Sequence, residues 1–135
     1  MGLYDKLTGK ASIGADLKHV QDYLFEDEKV INSYQFFRDS IILTNLGIYM
    51  VDVQGMTGKK VEVKFFPKKV IKTVAFETAG NFDLDVDIKI GVDGNTVIAS
   101  TGASYSAPIS FKVPKEQMTQ AKEVINLVKK HYLCN

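Results

Sequence analysis

The sequence predicts a mainly β fold, a strongly bent antiparallel sheet closed by a C-terminal amphipathic helix. Three observations predict it. After Glu28 the apolar residues stop recurring at a helical period and begin to alternate, as they do along a strand. Asp83 to Ile90 alternates most cleanly, with Leu84, Val86, Ile88 and Ile90 on one side and Asp83, Asp85 and Asp87 on the other. Met118, Ala121, Ile125, Val128 and Tyr132 then fall at spacings of three and four, one apolar stripe along a helix.

Residues 1–15 mix glycines with scattered apolar and polar side chains and are expected to form a flexible N-terminal arm, so that the domain proper spans 16–135. Asp16 can cap a short helix over Leu17–Phe25, in which Leu17, Val20 and Leu24 share a face and which Glu26-Asp27-Glu28 ends. Val30–Phe37 reads as the first strand, reversed tightly at Arg38-Asp39 into Ile41–Leu43. Thr44-Asn45-Leu46-Gly47 supplies a turn with Asn and Gly for positive φ, and Ile48–Val53 is the third strand. Gln54–Gly58 is the next turn. Lys60–Phe65 alternates between a wet face and a core face until Pro67 stops it. Val70–Thr78 is the fifth strand, broken by Ala79-Gly80-Asn81. The Asp83–Ile90 strand is joined through a hairpin at Asp93-Gly94-Asn95 to Thr96–Ser100, about seven strands in all. A small-residue loop over Gly102–Pro108 and a brief extended piece at Ile109–Val113 precede the helix, which Pro114 opens.

Composition excludes several classes of function. At 135 residues, with 45% hydrophobic and 24% charged residues, the chain suits one globular domain. A net charge of +1, with Arg38 the sole arginine among 17 basic residues, argues against specific nucleic-acid recognition. A single cysteine, Cys134, allows no internal disulfide and suits a reducing compartment. No signal-peptide core and no span of about 20 apolar residues is present, and Lys6 breaks the myristoylation pattern. The expected location is the cytoplasm, with no membrane span.

The motifs that invite chemistry fail on mechanism, and neither a catalytic centre nor a cofactor is expected. Gly55-Met56-Thr57-Gly58-Lys59-Lys60 has phosphate-loop composition but the wrong glycine spacing, no hydroxyl residue after the lysine, and a following strand where a helix is needed. Asp83, Asp85 and Asp87 lack the turned loop of a calcium site, and His19 and His131 have no ligand partner at metal spacing. Two features remain as candidate contact sites. Lys59, Lys60, Lys64, Lys68, Lys69 and Lys72, opposed by Glu62 alone, form a lysine-rich hairpin able to attract an anionic surface or to keep strand edges apart. The pairs Phe36-Phe37 and Phe65-Phe66 each put one ring on the far side of a strand, where it can meet another subunit.

Asp52-Val53-Gln54-Gly55-Met56-Thr57-Gly58-Lys59-Lys60, with Glu77-Thr78-Ala79-Gly80, Phe82-Asp83-Leu84-Asp85 and the opening Met1-Gly2-Leu3-Tyr4-Asp5-Lys6-Leu7, resembles the bacterial pleckstrin-homology-like domains over nearly the whole chain. That resemblance implies a barrel of seven strands in two near-orthogonal sheets capped by the C-terminal helix. It also implies ring-shaped homo-oligomers, pentamers in the first instance, and a largely uncharacterised role. Eukaryotic relatives of the fold often bind phosphoinositides through a basic loop between the first two strands. Here only Arg38-Asp39 stands there, so lipid binding is not carried over. The expected function is therefore a non-catalytic binding or scaffold module working through self-association and protein contacts. The alternative is peripheral membrane or phosphate-ligand binding through the lysines.

Overall fold

A computed structural model describes residues 17–78 and 85–134. The expected arm, the Asp16 cap, the Ala79-Gly80-Asn81 break and the placement of Phe82, Asp83 and Leu84 lie outside these residues. The chain divides into two compact units, Met1–Lys68 and Lys69–Asn135.

The first unit is built on four antiparallel strands in the order β1-β2-β3-β4: β1 Val30–Phe36, β2 Asp39–Thr44, β3 Gly47–Gln54 and β4 Lys60–Pro67. In place of the expected helix over 17–25 the chain makes two 3₁₀ turns, Leu17–His19 and Gln21–Tyr23. Nine residues are too few to offset the cost of nucleating an α-helix, so tertiary burial decides the conformation. Leu17 and Val20 do enter the core, beside Val30, Ile42, Tyr49 and Val51 on one sheet face. On the opposite face Tyr34, Phe36, Ile41, Leu43, Ile48 and Phe66 are buried.

Two turns and one strand end differ in detail from the sequence reading. The β1–β2 reversal is Phe37-Arg38, because Phe36 pairs with Asp39, and Phe37 takes φ +58°. A side chain in this region costs about 1–2 kcal/mol. At the β2–β3 turn neither Asn45 nor Gly47 has positive φ. Side chains shape it instead: the Thr44 hydroxyl accepts the Leu46 and Gly47 N–H groups, and Asn45 Oδ1 accepts the Lys29 N–H at 2.7 Å. Finally, β4 continues through Phe66 to Pro67, since an edge strand tolerates proline at its end.

The second unit holds β5 Ile71–Thr78, β6 Val86–Val92 and β9 Ile109–Val113 in the order β5-β6-β9, and a separate pair, β7 Thr96–Ile98 with β8 Ser104–Ser106. The described residues thus contain nine strands where about seven were expected. Asp93-Gly94-Asn95 does not close a hairpin between β6 and β7. The chain leaves the sheet there, and the small-residue loop expected over 102–108 contains β8. The alternation read in β6 holds, with Val86, Ile88, Ile90 and Val92 buried. On the wet face Lys112 pairs with Asp87 at 3.3 Å and Lys89 with Glu77 at 3.1 Å.

After Pro114 a 3₁₀ turn, Lys115–Gln117, leads into helix α1, Met118–Val128, which closes in a π-helical turn over Lys129–Leu133. Its buried stripe is Ala121, Val124, Val128 and Tyr132, while Ile125 is half-buried. Ala121, Val128 and Tyr132 of the expected stripe are buried, and Val124 is buried where Ile125 was expected. Cys134 is exposed with a free thiol.

Candidate functional site

The alternation of β4 places Val61, Val63 and Phe65 on the face shared with Tyr49 and Val51. That face is only partly covered: Val61 and Val63 are half-buried and Phe65 is exposed. The uncovered part is a pocket of about 810 Å³ within the first unit. One wall is β4, from Val61, Val63 and Phe65 to Pro67; a second is Leu46 and Tyr49 of the β2–β3 turn and β3; the third is Tyr23, Phe25 and Glu28. Tyr49 and Phe65 are cross-strand partners with ring centroids 4.6 Å apart. Tyr23 and Phe25 are 64% and 68% exposed, unusual for aromatic rings unless something lies against them.

Glu28 is the polar centre of this region and is 2% exposed. Its Oε1 accepts the Phe25 N–H at 3.1 Å and the Tyr49 hydroxyl at 3.2 Å, and its Oε2 accepts the Thr44 hydroxyl at 2.7 Å. The carboxylate therefore ties the segment before β1 to β2 and β3. Burial first, then the charge and hydrogen bond of Glu28, push the Tyr49 hydroxyl up to about 12.

A second titratable feature lies at the start of β2. Asp39 stands directly opposite Asp52 of β3. Burial, then the hydrogen bond and charge of Asp52, push its carboxyl up to about 6, with Arg38 pulling the other way. A carboxyl raised in the folded state holds its proton more tightly there than in the unfolded chain. The resulting stability is complete below about pH 3.8 and is lost as pH rises through 6. Asp39→Asn is therefore expected to flatten the pH dependence of unfolding between pH 4 and 6. At pH 7 it should add about 1 kcal/mol, a figure discounted for solvent screening; urea denaturation at several pH values checks this.

The residues singled out from sequence separate here. Phe37 (56% exposed) and Phe65 (41%) point outward, whereas Phe36 and Phe66 are buried and out of a partner's reach. The lysines do not form one hairpin: β4 pairs with β3 and β5 with β6. Lys59, Lys60, Lys64 and Lys68 belong to the first unit; Lys69 and Lys72 belong to the second, where Lys72 stands 3.9 Å from Asp93. Sequence reasoning missed Glu28 and the pocket. Locally Glu26-Asp27-Glu28 reads as the acidic end of a helix, and the inward turn of Glu28 depends on Thr44 and Tyr49, 16 and 21 residues away. Among the described residues no cluster of three or more His, Cys, Asp or Glu could hold a metal, and no helix is long and apolar enough to cross a membrane.

Residues 2–126 match the family described as Bacterial PH domain. The chain belongs to that family. This bacterial PH domain is 41% identical over 100 residues to the uncharacterised protein YjqA of Bacillus subtilis strain 168, covering 70% of this chain and 78% of YjqA. It is 35% identical over 77 residues to YozO of the same organism, also uncharacterised, covering 57% of this chain and 67% of YozO. The pleckstrin homology domain from Shewanella amazonensis SB2B is similar in structure, with TM-score 0.69 and 26% identity, over 99% of this chain and all of that one. A DUF1696 family protein with a pleckstrin-homology domain from Shewanella loihica PV-4 gives TM-score 0.59 at 26% identity, covering 82% of this chain and 87% of that one. The bacterial PH domain is thus an antiparallel β fold with a C-terminal helix, as the resemblance implied.

Proposed function

We propose that this bacterial PH domain is a cytoplasmic, non-catalytic binding and scaffold module that works through homo-oligomerisation and protein–protein contacts. The observation that carries this reading is the open apolar pocket of the first unit, where Tyr23, Phe25, Leu46 and Phe65 gather four of the exposed large apolar side chains. A contiguous apolar patch of this kind marks a contact surface. Phe37 supports the same reading: the two-residue β1–β2 turn sets its φ at +58° and leaves this aromatic residue 56% exposed. The family resemblance supplies the expectation of a ring, a pentamer first.

Light scattering at fixed micromolar concentration tests this. A Phe37→Ser, Phe65→Ser double variant is expected to lower the assembly mass, and an unchanged mass would overturn the role given to these rings. The second reading, an anionic surface held by lysines, draws on the exposure of Lys59, Lys60 and Lys64 along one strand and its turn. Salt-sensitive sedimentation with anionic vesicles, weakened by Lys59→Glu and Lys60→Glu, would put it first; equal recovery with neutral vesicles would remove it.

A further inference from the structure

Burying a carboxylate beside an apolar pocket is costly unless hydrogen bonds and an opposite charge meet it. Glu28 has hydrogen bonds from Phe25, Tyr49 and Thr44, three of the roughly four that a carboxylate can accept. Among the described residues it meets no opposite charge. Lys72, Lys89 and Lys112 pair with Asp93, Glu77 and Asp87, and no ion pair reaches Glu28. Around it, Tyr23, Phe25, Tyr49 and Phe65 contribute four aromatic rings from three parts of the unit. Ring faces attract cations, most strongly where water is excluded.

The geometry points to an organic cation as the ligand of this pocket: an ammonium group, primary or methylated, on an apolar body, seated among the four rings on the Glu28 side. The inference rests on the binding-module reading and adds to it the charge of the occupant. An anion would face Glu28 across a poorly screened lining, and a neutral apolar body would leave the carboxylate uncompensated. The hydroxyl of Tyr49 strengthens the match. It donates to Glu28 and keeps its oxygen lone pairs for an N–H of the ligand, so the carboxylate can act through it. A volume of about 810 Å³ accommodates a body of several carbons or a ring besides the ammonium.

Amide NMR titration of the full chain with four probes of one shape tests the inference: benzylammonium, benzyltrimethylammonium, benzyl alcohol and benzoate. The two cations are expected to shift resonances of Tyr49, Val63 and Phe65 and to bind at least tenfold more tightly than benzyl alcohol, with benzoate weakest. Glu28→Gln, which keeps the size and most of the hydrogen bonding, should reduce the cation preference at least fivefold and leave benzyl alcohol unaffected. If that variant does not fold, Phe65→Ala on the edge strand tests the ring contribution: cation affinity should fall at least threefold and benzyl alcohol affinity by less. A short peptide with a central lysine, set against its norleucine counterpart, separates a protein-borne ammonium from a free amine. Benzyl alcohol binding as tightly as the cations would overturn the charge assignment and leave the binding-module reading standing. Absence of binding by every probe would overturn the ligand assignment, and the assembly mass would still judge the module reading independently.

Discussion

Glu28→Ala is expected to lower the unfolding free energy by about 3 kcal/mol, a large share of a small domain's stability. The substitution removes three hydrogen bonds to one buried carboxylate and strands the Tyr49 hydroxyl, whose other acceptor, the Tyr23 carbonyl, is at 3.5 Å. Thr44 loses less, because its hydroxyl can donate to the Gly47 carbonyl, 3.3 Å away. Urea denaturation followed by circular dichroism measures the loss. Tyrosinate absorbance gives a second readout: with the charge of Glu28 gone, Tyr49 should titrate below its present value of about 12. A loss under about 1 kcal/mol would show that water replaces the carboxylate at little cost.

Gly47→Ala tests the register of the first sheet with a comparable effect, a loss of about 3 kcal/mol through overpacking. A methyl group here would press on the Phe66 carbonyl oxygen and lie 2.9 Å from both Pro67 Cα and the Phe65 ring. Two of these neighbours are backbone of β4, held opposite Gly47 by the register, so they cannot rotate away. Gly55→Ala is the control. It has nothing within 4 Å and φ +78°, so its cost is conformational alone, about 1 kcal/mol. Equal losses for the two variants, read from the same denaturation curves, would argue against the close β3–β4 approach.

The sequence reading was strongest where period and burial agree. The one-sided alternation of β6 and the opposed directions of Phe65 and Phe66 could be read directly, because side-chain direction along a strand follows from local geometry. It was weaker where distant residues decide. The Leu17–Phe25 spacing is helical, yet two 3₁₀ turns suffice to bury Leu17 and Val20, and the helix stripe was off by one residue at Val124. Asn45 and Gly47 looked like a positive-φ turn. The Thr44 hydroxyl bends the chain there, and glycine serves the close approach of β4. The lysines between 59 and 72 are close in sequence but divide between two units, since β4 and β5 pair with other strands. The pocket was legible only in its β4 wall. Its opposite wall depends on Glu28 turning inward, and nothing local in Glu26-Asp27-Glu28 distinguishes that residue from its neighbours.

The binding-module reading is tested most directly by the mass of the intact chain in solution. Native mass spectrometry at micromolar concentration is expected to show a closed multimer, five chains in the first instance. The Phe37→Ser, Phe65→Ser variant should shift the distribution toward monomer. A single monomeric species for the unaltered chain across that concentration range would contradict the account.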